Sequence, residues 1–421
     1  MRYTAAILMG RMVRKLARIR KPGGGSAIPG LVVNKIAPGY LAHALSTFPD
    51  GLVMISGSAG KSTITKMVVA IMDAHKVTVF TNPSTANITQ GLTSALLERS
   101  DLSGRVPETM AVLELDEGHG ALLVKHVRPD ILLLTNVMVD QIDRFHDSQM
   151  VADMLRTMAM ATKGTVVFNA DDAYVREIAD DENVNAAVRY FGVSAEVLAA
   201  RPRGLGYTST TETRMSAKDG TVLLSVDGLN ANIMHEGQLC QVLLPARGVH
   251  YAVDAVAALS TASTILGASF DLILGAKAIG SMPPVPGRGE VLDIGGETVE
   301  FVLVQNPSSY QLNLDSMAAA TEQILVAVGS DVRDPSYLWS VDTSGLGIVK
   351  MVTGSKAWDA ALQLVYDGVT VEQVEPDLAT GLNAFLALPK PTSGVKTVIF
   401  TADAMRRTRS HLGLSVNKEV V

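Results

Sequence analysis

The residues from Gly57 to Thr63 read GSAGKST and form a candidate phosphate-binding loop. The loop follows the apolar run Leu52–Ser56, a predicted buried strand, and opens a helical pattern from Ser62 to Ala74. Glycines permit tight backbone geometry, so amide N–H groups at the helix N-terminus can face phosphate oxygens. Lys61 would add positive charge and Ser62 could ligate Mg²⁺. The candidate nucleotide-binding residues are Gly57, Ser58, Gly60, Lys61, Ser62 and Thr63.

Acidic residues stand at the end of a second predicted strand, AVLELD (Ala111–Asp116). The two-residue period of a strand places Glu114 and Asp116 on one side. Ligands of α/β folds bind at the carboxyl ends of parallel strands. The pattern therefore predicts that an acid here faces a ligand, with Glu117 close by. A solvated acidic strand end would produce the same pattern.

The surrounding elements predict a doubly wound α/β domain. Five apolar runs alternate with helical patterns, as buried strands of a mostly parallel sheet do. They are Leu52–Ser56, Val77–Asn82, Ala111–Asp116, Ile131–Asn136 and Thr165–Asp172. From about residue 188 to 244, polar alternation predicts a hairpin insert at an edge of the sheet. A helix from Tyr251 to Leu266 closes this unit.

A second, smaller, Rossmann-like α/β domain is predicted after a proline-rich hinge at Pro283, Pro284 and Pro286. Its strands are expected at Phe301–Asn306, Gln323–Gly329, Gly347–Gly354 and Thr397–Asp403. Single cores stop growing near about 250–300 residues, so a longer chain divides. We expect an N-terminal helical segment (1–50) packed on a central domain (51–284), followed by a C-terminal domain (285–421).

Composition excludes several classes of protein. The chain is 47% hydrophobic and 19% charged with a net charge of −6, which favours a soluble enzyme over a disordered or general nucleic-acid-binding protein. Cys240 is the only cysteine, so one chain forms neither a disulfide nor a cysteine-built zinc site. No stretch reaches the roughly 20 apolar residues that span a bilayer. We expect a cytoplasmic protein without structural zinc.

The N-terminal segment mixes basic residues, from Arg2 to Lys21, with apolar residues, from Ile7 to Ile19. The favoured interpretation is a helix packed on the body of the protein, with its charges in solvent. The alternative is a basic amphipathic helix lying on anionic lipid, as a peripheral protein at the inner face of the plasma membrane.

Taken together, the motifs resemble the Mur ligase superfamily. Short GxxGK[ST] loops typify that superfamily, FNADD (Phe168–Asp172) resembles a later landmark, and PGRGE (Pro286–Glu290) resembles its hinge. The resemblance implies ATP and Mg²⁺ as cofactors, with Ser62 and Glu114 on the metal. It also implies that Asn169 faces the nucleotide base and that Arg288 reaches the nucleotide across the cleft, where a guanidinium suits phosphate.

Several positions separate the chain from the usual superfamily pattern. Ala59 stands in the loop where an amide side chain is usual, and Tyr251 and Asp254 occupy the places of two asparagines. The string DQIDRF (Asp140–Phe145) resembles the variant of the MurT family rather than the usual Asp-His pair.

The last third of the chain resembles the MurT family more closely, in segments such as DVRDPSYLWSVD (Asp331–Asp342). In that family an aspartate completes a Cys-His-Asp arrangement with a glutaminase partner of the GatD type. Such a carboxylate orients the histidine and stabilises its cationic form. Asp334 is the best match, with Asp331 and Asp342 as rivals. An aspartate that only caps a helix or turn is an equally good interpretation of each.

The resemblance implies amidation of the D-glutamate α-carboxylate of lipid II to D-isoglutamine, through an acyl phosphate. Lys61 and Mg²⁺ would neutralise charge on the transferred phosphoryl group, and the GatD-type glutaminase would supply ammonia. Two alternatives remain. One is a conventional Mur or folylpolyglutamate-type amino-acid ligase, and the other is a nucleotide-binding scaffold subunit that has lost catalysis.

Overall fold

The structure is a computed structural model that describes residues 3–20, 27–83, 86–138, 147–211, 215, 220–283, 286–304, 306–317 and 321–414. Arg2, Lys21, the string Asp140–Phe145 and Pro284, all named above, lie outside these ranges.

The first sheet has nine strands in the order β2-β3-β1-β4-β5-β6-β7-β8-β9. Neighbours from β2 to β7 are parallel, and β7, β8 and β9 form an antiparallel meander at one edge. The strands are β1 (Gly51–Ser56), β2 (Val79–Phe80), β3 (Met110–Glu114), β4 (Ile131–Leu134), β5 (Thr165–Asn169), β6 (Ala187–Val193), β7 (Thr221–Asp227), β8 (Asn230–His235) and β9 (Gln238–Leu243). The doubly wound α/β prediction is confirmed.

Helices cover both faces of this sheet, because the strands direct apolar side chains to both faces. In β1, Val53 and Ile55 enter one hydrophobic core while Leu52 and Met54 enter another. The helices are α1 (Thr4–Arg20), α2 (Ile28–Ile36), α3 (Tyr40–Leu45), α4 (Lys61–Ala74), α5 (Thr89–Arg99), α6 (Glu117–Leu123), α7 (Ser148–Ala161), α8 (Ala173–Ala179), α9 (Ala195–Ala199), α10 (Val249–Leu266) and α11 (Leu272–Gly280).

Strand order determines where a ligand can bind. The chain leaves β1 towards β2 and β3 on one side, and then crosses to β4 on the other side of β1. Such a switch point opens a crevice at the carboxyl ends of the strands. Ile55 of β1 is in register with Glu114 of β3, so the loop after β1 lies beside the acid that ends β3.

The second sheet has six strands in the order β10-β11-β17-β12-β14-β16, and all neighbours except β10 and β11 are parallel. Its strands are β10 (Arg288–Ile294), β11 (Glu297–Leu303), β12 (Ile324–Ala327), β14 (Met351–Thr353), β16 (Val374–Glu375) and β17 (Lys396–Phe400). A separate parallel pair is formed by β13 (Ile348–Val349) and β15 (Thr370–Val371). The accompanying helices are α12 (Pro307–Leu314), α13 (Ala357–Tyr366), α14 (Leu378–Leu386) and α15 (Ala402–His411).

Three local predictions are wrong. Asp116 does not share a strand face with Glu114, because β3 ends at Glu114 and Asp116 instead caps α6 by accepting from the His119 N–H at 3.2 Å. The insert is antiparallel only from Thr221, since β6 still pairs in parallel with β5. The run Gly347–Gly354 forms two strands, because Ile348 and Val349 pair with β15 while Met351 to Thr353 join β12.

Helix α1 packs on the body of the protein: Ala6 and Ile7 are buried in the core, and two basic residues also turn inwards. The guanidinium of Arg11 donates to the Leu97 carbonyl at 3.0 Å, and Arg14 forms an ion pair with Glu98. The prediction that the charges of α1 face solvent is wrong for Arg11 and Arg14, which bind α5, while Lys15 is exposed. Large apolar residues of α1 also face outwards: Leu8, Met9, Met12 and Leu16.

One helix among the described residues, α10 with the turn that follows it, is long and apolar enough to span a membrane. It is 67% buried over that span and contacts α4, β6 and β7 in the core of the first domain.

Candidate functional site

The phosphate loop connects β1 to α4 and depends on two glycines. Gly57 has φ +130°, and a Cβ there would lie 2.2 Å from the Thr135 hydroxyl. Gly60 has φ +84°, and a Cβ there would lie 2.5 Å from Oδ1 of Asp254. Both positions therefore require glycine. The loop positions the first turn of α4 at the crevice between β1 and β3. The N–H groups of that turn lack acceptors within the helix.

Asn136 holds the middle of the loop in place. Its backbone carbonyl accepts from the Ser58 N–H at 2.9 Å, and its side-chain oxygen accepts from the Ala59 N–H at 2.9 Å. The Ser58 hydroxyl in turn accepts from the Met138 N–H at 3.1 Å. In the sequence Asn136 is only the last residue of a predicted strand, and its contact with the loop follows from the pairing of β1 with β4.

Lys61 is the first residue of α4 and lies among carboxylates. Its Nζ is 3.0 Å from Oε1 of Glu117 and also donates to the carbonyl of Gly57. Burial, the largest influence, acts to lower the pKa of Lys61. The carboxylates of Glu117, Glu114 and Asp116 outweigh it and hold that pKa above its usual value. Lys61 is therefore a permanent cation at the mouth of the loop.

Ser62 and Glu114 lie in direct contact, which fits a metal site. The Ser62 hydroxyl donates to Oε1 of Glu114 at 2.9 Å, and Glu114 is buried. Burial raises the pKa of Glu114 despite the opposing influence of Lys61 and Ser62. A cation would compensate the desolvated carboxylate. Mg²⁺ commonly takes one or two carboxylates plus phosphate and water oxygens, so this carboxylate and hydroxyl form a suitable protein share.

Arg288 brings the second domain to the phosphate loop. It begins β10, and its guanidinium donates to the hydroxyl of Thr63 in α4 at 3.0 Å. Its charge also acts on the buried side chains of Asp254, His250 and Tyr251. Arg288 thus lies within reach of the first turn of α4, where a nucleotide phosphate would be expected.

Asp254 completes this cluster and is the main residue whose position the sequence did not reveal. It lies on α10, against Gly60 and hydrogen-bonded to Thr63. Burial raises its pKa to about 8, opposed by Arg288 and Thr63. A largely neutral Asp254 can therefore lie beside the phosphate loop without strongly repelling phosphate.

This pKa leads to a stability prediction for Asp254→Asn. Between pH 4 and pH 8 folded Asp254 keeps a proton that the unfolded chain has released, so wild-type stability falls as pH rises through this window. The variant lacks this loss. The free energy of unfolding of Asp254→Asn minus that of wild type should therefore increase between pH 5 and pH 8. The increase should be at least about 1.4 kcal/mol, the value of one pKa unit. Thermal unfolding of wild type, Asp254→Asn and the exposed control Asp227→Asn would measure it, and parallel wild-type and Asp254→Asn curves would contradict the assignment.

Asn169 ends β5 and is held by hydrogen bonds within the protein. It is fully buried, and its amide donates to the Thr135 carbonyl at 2.7 Å and to the Tyr207 hydroxyl at 2.9 Å. The neighbouring acids support the backbone: Asp171 accepts from the Val193 N–H at 2.7 Å, and Asp172 caps α8. Contact of Asn169 with a base stays a prediction.

The three candidate aspartates of the second domain occupy different settings. Asp334 is exposed and starts a short 3₁₀ turn, where Oδ1 accepts from the Ser336 N–H at 3.0 Å and its hydroxyl at 2.7 Å; these bonds lower the pKa of Asp334. Asp331 accepts from the Thr401 hydroxyl at 2.8 Å. Asp342 forms an ion pair with Arg203 of the first domain. Asp334 accepts its hydrogen bonds from its own turn, and its exposed carboxylate is accessible to a partner.

Two family models match the chain. A Mur ligase middle domain matches residues 55–262, and a MurT ligase C-terminal domain matches residues 303–404. The first match contains the phosphate loop and Glu114, and the second contains all three candidate aspartates. The first domain therefore matches the middle domain of Mur ligases, and the C-terminal domain is of the MurT type.

Individual relatives agree with these matches. The MurT subunit of the glutamine-hydrolysing lipid II isoglutaminyl synthase of Staphylococcus aureus (strain COL) is 31% identical over 199 residues, which cover 46% of this chain and 43% of that protein. The MurT subunit of Streptococcus pneumoniae (strain ATCC BAA-255 / R6) is 24% identical over 379 residues, 81% of each chain. The chain thus spans less than half the length of the Staphylococcus relative in that alignment.

Among solved structures, the MurF ligase of Thermotoga maritima in complex with ADP superposes with a TM-score of 0.63. It is 18% identical, and the match covers 89% of this chain and 82% of that chain. At this identity the likeness establishes the Mur ligase fold.

Proposed function

We propose that this protein is the ATP-dependent synthetase subunit of a lipid II amidotransferase. It would activate the D-glutamate α-carboxylate of the stem peptide, and a GatD-type glutaminase would supply the ammonia. The observation that carries the proposal is the convergence of the phosphate loop, Glu114 and Arg288 at one crevice in a chain with a MurT-type C-terminal domain. A cytoplasmic location follows from the use of ATP.

ATP would bind with its phosphates at the first turn of α4. The N–H groups of that turn and the ammonium of Lys61 would face the β- and γ-phosphates, and Arg288 would approach from the second domain. The ADP in the Thermotoga maritima relative, a protein of the same fold, supports nucleotide use. Ser62 and Glu114 would hold Mg²⁺, which would neutralise phosphate charge when bound.

The reaction proceeds by exchange of a poor leaving group for a good one. A carboxylate oxygen of D-glutamate attacks the γ-phosphorus of ATP, and ADP leaves. Ammonia then attacks the acyl carbon, nitrogen loses a proton, and phosphate departs with the oxygen that came from the carboxylate. In both steps negative charge develops beside Lys61 and Arg288, whose positions are set before the substrate binds.

Ammonia derived from glutamine would come from another polypeptide. Cys240, the only cysteine, is buried in β9, and burial raises its pKa to about 11, so it cannot serve as a glutaminase nucleophile. A partner surface is available beside Asp334. Trp339 stacks on Tyr366 with ring centroids 5.8 Å apart, and exposed apolar side chains continue along α13 at Trp358, Leu362 and Val365. Exposed aromatic patches of this kind are typical of protein interfaces.

The metal assignment gives a prediction. Glu114→Gln should weaken ATP binding about tenfold or more in the presence of Mg²⁺, since a charge-assisted contact contributes about 1.5–3 kcal/mol. Without Mg²⁺ the variant and wild type should bind ATP similarly. Calorimetric titration measures both constants.

Asp116→Asn is a matched control, because asparagine can still cap α6. This variant removes only the charge of the Asp116 carboxylate, close to Glu114. If Asp116→Asn or Glu117→Gln loses the Mg²⁺ effect while Glu114→Gln keeps it, Glu114 is not the ligand. Elemental analysis of the same preparations would test the expectation that the protein lacks stoichiometric zinc.

The proposed function is tested by incubating the chain and its glutaminase with lipid II, ATP, Mg²⁺ and glutamine. Amidated lipid II should form, and omission of ATP should abolish it. Replacing glutamine and the glutaminase with ammonium should restore product. Ligation of an amino acid instead would favour the conventional Mur ligase alternative, and ATP binding without any product would favour the scaffold.

A further inference from the structure

The outer face of helix α1 is apolar although it faces solvent. Leu8, Met12 and Leu16 are spaced four residues apart, so they form one stripe along the helix, with Met9 beside it. The exposed fractions of Leu8, Met12 and Leu16 are 52%, 57% and 60%. A helix on a soluble protein normally turns such a stripe towards the core.

The orientation of α1 is fixed by specific contacts on its inner face. Gly10 allows close packing, because a Cβ there would lie 2.8 Å from side-chain atoms of both Val33 and Leu97. Arg11 and Arg14 bind the end of α5. Ala6 and Ile7 are buried beside these contacts, while the stripe of Leu8, Met12 and Leu16 stays outside. Helix α2 packs beside α1 and exposes further apolar residues: Ile28, Leu31 and Ile36.

Charge in this part of the sequence has a single sign. Residues 1–49 contain eight Lys and Arg residues and no Asp or Glu, while the remaining residues contain all 42 acidic residues of a chain with net charge −6. Lys15 and Lys35 are exposed on α1 and α2. An apolar stripe with exposed lysines in a segment without acids is complementary to a surface that has an apolar interior and anionic groups.

We propose that α1 and α2 bind the surface of an anionic phospholipid bilayer, with Leu8, Met12 and Leu16 inserted among the acyl chains and the lysines among the head groups. The biological role of this binding rests on the proposed function, because a lipid-linked substrate lies at a membrane surface. It is tested without ATP or lipid II, so its failure leaves the amidation proposal standing.

The test is sedimentation of the full chain with vesicles of phosphatidylglycerol and phosphatidylcholine, and with vesicles of phosphatidylcholine alone. Wild type should bind the anionic vesicles, should bind the neutral ones at least about tenfold more weakly, and should be released by high salt. The triple variant Leu8→Gln/Met12→Gln/Leu16→Gln should lose at least about tenfold in affinity, since it removes the three apolar side chains that would insert. Lys15→Gln/Lys35→Gln should lose about tenfold.

The matched control is Leu229→Gln/Leu239→Gln, which replaces exposed leucines of the β7–β9 meander and should bind as wild type does. Thermal unfolding checks that the variants fold. If the triple variant does not fold, the lysine variant and the salt dependence of wild-type binding still test the proposal. Equal binding of wild type and both N-terminal variants, or equal binding to both vesicles, would overturn it. The proposal would also be overturned if wild type does not bind vesicles but forms a dimer that the triple variant cannot form. The stripe would then be a protein interface.

Discussion

Replacing Lys61 with alanine is expected to lower the rate of ATP-dependent amidation by a factor on the order of a hundred to a thousand. The ammonium lies at the mouth of the phosphate loop, where charge develops on the transferred phosphoryl group. The loss should be the same with glutamine and with ammonium, because phosphorylation precedes both. Steady-state rates of product formation and of ADP release would measure it, with the exposed Lys125→Ala as control.

Lys61→Ala also leaves a buried carboxylate without its partner, since the side chain of Glu117 is only 4% exposed. A double variant, Lys61→Ala/Glu117→Gln, distinguishes a loss of folding stability from a loss of catalytic activity. It should recover most of the melting temperature lost by Lys61→Ala and remain inactive. Undiminished ADP release in either variant would contradict the phosphate-loop assignment.

The second large effect is expected for Asp334→Asn, on a reaction that takes place on another polypeptide. Glutamine-dependent amidation should fall by about a thousandfold or more, because an orienting carboxylate sets the tautomer of the partner's histidine and stabilises its cation. Amidation driven by high ammonium should stay within about twofold of wild type. The two assays are run on one preparation of the complex, so a loss confined to glutamine excludes misfolding.

Asp331→Asn and Asp342→Asn are the matched controls for this experiment. Asp331 is bonded to Thr401, and Asp342 is paired with Arg203, so each has a structural partner. If either variant loses glutamine-dependent activity while Asp334→Asn does not, the role passes to that residue. If none of the three changes glutamine hydrolysis, the inter-subunit triad is wrong for this protein.

Local features of the site could be predicted from the sequence. The phosphate loop, the strand before it and the helix after it are contiguous, so their residue types alone identify β1, the loop and α4. The carboxylate of Glu114 was predictable for the same reason, since it ends an apolar run. Parallel strands then bring both segments to one edge of the sheet.

Contacts between distant segments could not be predicted in the same way. The approach of Asp254 to Gly60 depends on how α10 packs against α4, and the clamp by Asn136 depends on strand order. The inward orientation of Arg11 and Arg14 has the same origin. The periodicity of α1 specifies which residues share a face, but the contacts with α5 determine which basic residues turn inwards.

The central claim is that this chain activates a carboxylate by phosphorylation, and isotope transfer tests it most directly. Lipid II that carries a heavy oxygen isotope in the D-glutamate α-carboxylate would be amidated by the chain and its glutaminase with ATP, Mg²⁺ and glutamine. One labelled oxygen should appear in the inorganic phosphate for each amide formed, because phosphate leaves with the carboxylate oxygen it acquired. Amide formation with unlabelled phosphate, or ATP hydrolysis without amide, would contradict the account.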